Sequence, residues 1–339
     1  MTLMNRQILL ASRPQAAAST DNFRLVETPL PPLQDGQVLV RHHWLSLDPY
    51  MRGRMSDAKS YAAPQPLGEV MLGGTAGEVV ESRHPKFAPG DKVVGMGGWQ
   101  LYQVADPSRP GALRKVDDRR VPLQAYLGVV GMPGVTAWYG LNRILDPQPG
   151  QTVVVSAASG AVGGVVGQLA KRRGARAVGI AGGSEKCRFV VEELGFDACV
   201  DHRAHGDLAS LAAALREACP QGIDADFENV GGRVLDAVML NANAFSRVAL
   251  CGLIAGYGGE DIPMANPRPI LANRMRIEGF IVSEHPAVWP QALQELAELV
   301  GGGELKYRES VAQGLEAAPD AFLGMLQGRN FGKQLVRLA

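Results

Sequence analysis

The sequence predicts an α/β protein: a doubly wound parallel sheet of the Rossmann type joined to a β-rich domain. Three observations predict it. Thr152 to Gly163, TVVVSAASGAVG, reads as a β-strand running into a glycine turn. From Arg176 onward, strand-like and helix-like patterns alternate. The first ~120 residues instead carry many prolines, glycine turns and short alternating strands, the texture of a barrel or sandwich. A chain of 339 residues suits two domains. The expected divisions are a β-rich domain over 1–123, a nucleotide-binding domain over 124–300, and a segment over 301–339 that returns to the first. That return would leave the active site in the cleft between domains.

In the first domain, Gln37 to His43, Thr75 to Glu81 and Asp91 to Gly95 read as strands. Thr152 to Val155 is β-branched throughout, as a strand buried on both faces should be. The residues after Gly160 are helical in pattern, with Val162, Val165, Val166, Leu169 and Ala170 on one face. Arg176 to Ala181 is the next strand, Ser184 to Leu194 a helix closed by Gly195, and Ala198 to Asp201 a short strand. Asp207 to Cys219 is a helix with Leu208, Leu211, Ala212 and Leu215 on one face. Asp224 to Val230, Arg247 to Gly252 and Ile277 to Val282 complete six strands, the number in a doubly wound nucleotide fold.

Composition narrows the function classes. Lys and Arg together equal Asp and Glu at 34 each, so no electrostatic feature points to nucleic acid or an anionic membrane. The 41 glycines and 46 % apolar content fit a turn-rich α/β protein with a large core. Cys187, Cys199, Cys219 and Cys251 form no C-x-x-C pair, the pattern of a reduced, cytoplasmic protein. The apolar run in MTLMNRQILLASRP is too short for a signal peptide and no cleavage pattern follows it. Pro147 to Ala170 is uncharged and long enough to span a bilayer, but its glycines, prolines and strand–turn–helix period make it a buried core instead.

Ala157, Gly160 and Gly163 stand at the spacing of the dinucleotide fingerprint, with Ala157 in place of its first glycine. Gly160 would let the backbone approach a pyrophosphate, and Gly163 would let helix and sheet pack closely. A glycine-rich turn that holds no ligand is the alternative. The acid that would bind the ribose 2′-hydroxyl of NAD belongs ~20 residues further on, at the end of the next strand. Gly182, Gly183 and Ser184 occupy that place, with Lys186 and Arg188 beyond. Absence of the acid and two nearby cations point to the 2′-phosphate of NADP(H). The competing reading makes Lys186 and Arg188 a solvated helix face, with Glu185 weakening the local positive field.

The chain resembles a known family at LSLDPYMRGRMS (Leu45 to Ser56), GMPGVTAWYG (Gly131 to Gly140), GGSEKC (Gly182 to Cys187), FENVGG (Phe227 to Gly232), CGLIAGY (Cys251 to Tyr257), RIEGFIV (Arg276 to Val282) and GRNFGK (Gly328 to Lys333). In this order the motifs are similar to the zinc-independent double-bond reductases of the medium-chain dehydrogenase/reductase superfamily. That branch holds the prostaglandin reductases, plant alkenal reductases and bacterial NADPH-dependent curcumin reductases. The resemblance implies a GroES-like first domain and NADPH as cofactor. The implied reaction is hydride transfer to the β-carbon of an α,β-unsaturated ketone or aldehyde, then protonation of the enolate. Quinone reduction is the runner-up, and an NADPH-binding protein without turnover is the third reading. A homodimer is implied by resemblance alone. Zinc-dependent relatives carry a Cys ligand where Leu45 stands and a His-Glu pair where this chain has Gly68-Glu69-Val70, and no cysteine precedes Cys187. A catalytic zinc needs about three such ligands, so no metal is expected, and the His202 and His205 pair lacks further ligands.

The resemblance also assigns residues. Gly160, Ala161, Val162 and Gly163 would hold the pyrophosphate, and Lys186 the 2′-phosphate, with His202 where many relatives place a tyrosine. Asn229, the loop carrying Cys251, Gly252, Ile254 and Tyr257, then Phe280, Ile281 and Val282, and Asn330 match positions lining the nicotinamide and its ribose. Each has a structural alternative: a strand-ending turn at Asn229 to Gly232, core strand at Phe280 to Val282, and a loop cap at Asn330. Tyr257 is the expected catalytic residue, a phenol able to donate to a developing enolate; otherwise it is a surface aromatic in GYGG. Tyr50, Arg52 and Tyr61 match substrate-side positions; the alternative is that Asp48-Pro49 and its neighbours only organise a turn.

Overall fold

The computed structural model describes residues 3–109 and 113–338 and divides into two compact units, Met1–Gly128 with Glu309–Ala339, and Val129–Arg308. The expected divisions stood five to eight residues earlier at each boundary, at 123/124 and 300/301.

The first unit opens with strands β1 (Met4–Leu10), β2 (Phe23–Pro29) and β3 (Val38–Ser46), followed by a short helix α1 (Tyr50–Arg54). Strands β4 (Thr75–Ser82), β5 (Lys92–Gly95), β6 (Tyr102–Ala105) and β7 (Leu113–Lys115) follow. β1 and β2 form an antiparallel ribbon, so the apolar run near the N-terminus is a strand whose inner face is Ile8 and Leu10. β3 buries Val38, Val40 and His42 in strict alternation, then a register shift between His42 and Trp44 turns Leu45 and Ser46 inward instead. An extra residue of this kind reverses which face the next side chains occupy, and here it brings Leu45 to the buried side, with Ser46 buried beside it just before the chain turns.

The second unit contains helix α2 (Met132–Tyr139), continued by a π-helical stretch to Leu145, then β8 (Thr152–Ser156) and α3 (Gly163–Arg172). It continues with β9 (Arg176–Ala181), α4 (Ser184–Glu192), β10 (Ala198–Asp201), α5 (Leu208–Ala218) and β11 (Ile223–Glu228). Helix α6 (Gly232–Met239), β12 (Ala242–Leu250), α7 (Arg268–Ala272), β13 (Arg276–Gly279) and α8 (Trp289–Gly301) complete it. The six strands form one parallel sheet in the order β10-β9-β8-β11-β12-β13, the doubly wound Rossmann arrangement. Every residue of β8 is buried, in keeping with helices on both faces.

Several strand boundaries moved by one to five residues, the start of β12 and the end of β13 among them. β12 begins at Ala242, five residues before its expected start, because Asn241 to Ala244 is built of Asn and Ala, residue types that do not mark a strand. β13 ends at Gly279, because Phe280 leaves the ladder to pack edge-on against Phe227 at 6.1 Å between ring centres.

The chain then returns to the first unit through β14 (Glu309–Gln313), α9 (Ala318–Leu326) and β15 (Lys333–Arg337). β15 lies between β14 and β3 in a seven-stranded sheet, with β4, β5 and β7 beyond β3 and β6 also paired to it. Leu315, Phe322 and Val336 from this return pack with Ile8, Leu45, Leu47, Met51 and Trp99 in one apolar core.

Candidate active site

In a doubly wound sheet, ligands gather at the carboxyl ends of the strands where the winding reverses. Here that point lies between β8 and β11. The two strand ends are tied together by side chains. The Ser156 hydroxyl donates to Glu228 Oε1 at 2.8 Å, the Asn229 amide N–H donates to Ser156 Oγ at 2.7 Å, and Asn229 Nδ2 donates to the Ser156 carbonyl at 2.8 Å. Glu228 Oε1 also accepts from the backbone of Val230 and Gly231, turning the chain sharply into α6.

The turn after β8 has the shape that its spacing predicts. Ala157 takes φ 49°, the left-handed conformation that favours the glycine it replaces. A side chain at Gly163 would come within 2.5 Å of the Ala157 carbonyl oxygen, so close packing of helix on strand requires glycine there. Among the described residues, the backbone N–H groups of Ala161, Val162 and Gly163 have no backbone acceptor. Three free donors at the start of α3 make a cradle for an anion such as a pyrophosphate.

At the end of β9, Gly182 leaves room for side chains arriving from β10. A Cβ there would lie 2.9 Å from both His202 Nε2 and Arg203 Nε. Asp201, the nearby carboxylate, is engaged: its Oδ1 accepts from the backbone N–H of Gly183 at 2.7 Å and of Arg203 at 2.9 Å. Burial and then the adjacent Arg203 charge lower the pKa of Lys186. Burial, then Arg203, lowers His202 as well, so its imidazole is neutral at pH 7. The second cation beside Lys186 is therefore Arg203, which the sequence reading missed. Arg188, chosen in its place, is exposed on α4. Register carried the missing signal, since β9 and β10 pair in parallel up to Ala181 and Asp201 and so end side by side. Two cations and a neutral imidazole around a glycine edge suit a phosphate ester.

The loop after β12 folds over the end of β11. Cys251 donates its backbone N–H to Glu228 O at 2.8 Å, Ile254 to Asn229 O at 3.1 Å, and Ala255 to Val230 O at 3.0 Å. A tight turn over Ile254–Gly256 then presents Tyr257, which is half-buried. Phe280 and Ile281 are half-buried after β13, Val282 is buried, and Phe280 stacks obliquely on Tyr139 at 5.4 Å.

In the first unit, Tyr50 opens α1 and is half-buried against the core. Burial, then the negative Asp48, raises its pKa, so the phenol keeps its proton. Arg52 donates to the Ala16 carbonyl at 2.6 Å, fixing a neighbouring loop. Tyr61 is exposed, with the Arg54 guanidinium 5.2 Å from its ring centre. Asn330 donates to the Gly332 carbonyl at 2.8 Å within the loop before β15.

Among the described residues, no three His, Cys, Asp or Glu side chains gather within reach of one metal ion. The residues do not fit a catalytic zinc: Leu45 is buried and apolar, and Glu69 is exposed.

Family models describe residues 6–113 as an N-terminal domain of oxidoreductase and residues 161–298 as a zinc-binding dehydrogenase domain. An NADPH-dependent curcumin reductase of Escherichia coli is 46 % identical over 99 % of this chain and 97 % of its own length. The chain belongs to the double-bond reductase branch of the medium-chain dehydrogenase/reductases. An NADP-dependent 2-alkenal reductase of Nicotiana tabacum, in the same branch, is 42 % identical over 91 % of this chain and 89 % of its own. The crystal structure of CurA in complex with NADPH from Vibrio vulnificus superimposes with a TM-score of 0.91 at 45 % identity, covering 98 % of this chain and 99 % of that one. The resemblance read from the sequence motifs thus holds, and so does the α/β fold with a parallel Rossmann sheet and a separate sheet-rich unit. The absent zinc ligands contrast with the name of the second family model, which covers the Rossmann unit rather than the positions of Leu45 and Glu69.

Proposed function

We propose that this protein reduces the C=C bond of α,β-unsaturated ketones and aldehydes with NADPH. The observation that carries the cofactor half is the Lys186, Arg203 and Gly182 arrangement, with Asp201 occupied by backbone donors. The substrate class is supported by the curcumin and alkenal reductases that match nearly the whole chain. In this reading the N–H groups of Ala161, Val162 and Gly163 hold the pyrophosphate, and Lys186 with Arg203 holds the 2′-phosphate. Asn229, the Cys251 to Tyr257 loop and Phe280 to Val282 surround the nicotinamide end.

Bound NADPH supplies the hydride. The protein's own part is orientation and charge. As the β-carbon accepts hydride, negative charge moves to the carbonyl oxygen, and the Tyr257 hydroxyl donates a hydrogen bond to it. Tyr50, protonated at any working pH, contributes a second polar contact on the substrate side. Arg52 and Tyr61 border the same region. No step uses a metal. A cytoplasmic homodimer completes the reading: the four cysteines are free, and β13 leaves one edge of the sheet open to a second copy.

The test is to mix the protein with NADPH and a simple enone and follow cofactor absorbance, before and after exhaustive chelation. The expected result is turnover that survives chelation and is far slower with NADH. No turnover on any enone, with rapid turnover on quinones, overturns the assignment.

A further inference from the structure

Lys333 and Asp48 form an ion pair with only 6 % and 7 % of their side chains exposed. The Lys333 ammonium donates to Asp48 Oδ1 and to the Leu47 carbonyl, both at 2.7 Å. The Ser46 hydroxyl donates to Asp48 Oδ2, and the Leu47 N–H to the Gln334 carbonyl at 3.2 Å. These contacts seize the chain at the point where it leaves β3. The next residues enter α1 under direct control of the same group, since the Asp48 carbonyl accepts from the Met51 N–H at 3.1 Å.

A buried ion pair is a poor source of stability, because desolvating both charges offsets most of their attraction and an apolar pair of equal volume does as well. What an apolar pair lacks is direction. An ammonium with two fixed acceptors sets the position of a backbone carbonyl and a carboxylate together. The segment so fixed ends in Tyr50. We propose that Lys333 and Asp48 are positioning residues that lock the Leu47–Tyr50 turn and so set where the Tyr50 hydroxyl meets the unsaturated carbonyl substrate. This rests on reading Tyr50 as a substrate contact. It ties substrate recognition to β15, 285 residues further along the chain.

The experiment compares Lys333→Met, the double variant Asp48→Asn/Lys333→Met, Tyr50→Ala, and Tyr50→Ala combined with Lys333→Met. The double variant leaves no unpaired buried charge, so it is the one to use if Lys333→Met alone does not fold. Three quantities are measured: hydrogen exchange of the amides over 47–55, KM and kcat for an enone, and NADPH affinity. Breaking the clamp should speed exchange over 47–55 and lower kcat/KM about tenfold or more, chiefly through KM. NADPH affinity should stay within about twofold. In the Tyr50→Ala background the same change should cost less than about twofold, because residues acting through one another are not additive. Unchanged exchange, additive losses, or an equal loss of NADPH affinity overturns the proposal. If Tyr50→Ala leaves KM at its original value, the reading of Tyr50 fails and the proposal falls with it. If Tyr50→Ala raises KM while the clamp variants do not, only the proposal falls.

Discussion

Removing one oxygen from Tyr257 separates chemistry from packing. If its hydroxyl stabilises the enolate, Tyr257→Phe should lower single-turnover hydride transfer by ~10²–10³ and leave NADPH affinity nearly unchanged, because the bond strengthens only as charge develops. A surface aromatic would instead tolerate Phe and suffer only from Ala. Rapid-mixing measurements on both variants decide, and a Phe variant of full activity moves the assignment to Tyr50. Cofactor choice is also settled by single residues. Arg203→Ala and Lys186→Ala should each raise KM for NADPH roughly ten- to a hundredfold, the worth of a charge-assisted phosphate contact, and barely affect NADH. Equal effects on both cofactors would remove the 2′-phosphate from these side chains. At this scale the sequence was legible where backbone geometry follows local spacing, as in the left-handed turn at Ala157 and the close packing at Gly163. Arg203 was not, because it reaches Gly182 across two strands rather than along the chain. Nor was the Ser46–Asp48–Lys333 network, whose members join only when β15 pairs with β3.

The parallel strands were legible as elements because burial on both faces leaves an apolar run with no alternation to misread. In the ribbon β1–β2 the second strand gave no such run, since Arg24 and Glu27 interrupt it. β11 hides something its pattern does not announce. Asp226 is buried, its two oxygens have no hydrogen-bond partner, and it points to the same face as buried Glu228. Desolvation, then repulsion from Glu228, holds its pKa well above the usual carboxylate range. Glu228 is raised too, chiefly by desolvation, but it accepts from Ser156, Val230 and Gly231. The sign follows by linkage. Across the window above the ordinary carboxylate pKa, folded Asp226 keeps a proton that the unfolded chain has lost, so stability falls as pH rises. Asp226→Asn should therefore stabilise the protein near neutral pH by about 1–3 kcal/mol, with the gain shrinking toward pH 4. Thermal unfolding across pH tests this, and a gain that does not vary with pH would mean that Asp226 is already ionised.

For the whole molecule, the two compact units were legible from texture, strand–helix alternation against proline-rich short strands. Their limits were not, because nothing in the composition marks where the chain stops making contacts with one core and starts with the other. A homodimer, if β13 pairs with its own copy, should give twice the 36.1 kDa chain mass by light scattering, and charge reversal at Arg276 on that edge should weaken it. A mass of one chain at all concentrations excludes this assembly.

The return of β15 to β3 has a consequence for how the molecule is made. Val129–Arg308 is one uninterrupted stretch of chain, whereas the sheet of the first unit lacks β14 and β15 until residues 309–337 have been synthesised. During translation the Rossmann unit can complete itself while the first unit still waits for its last strands. Until they arrive, the inner side of β3 has no β15 beside it, and the carboxylate of Asp48 has no ammonium to meet. A chain released at Arg308 should thus hold a protease-resistant second unit and a digestible first one, with residues 309–337 needed to close the sheet of the first unit.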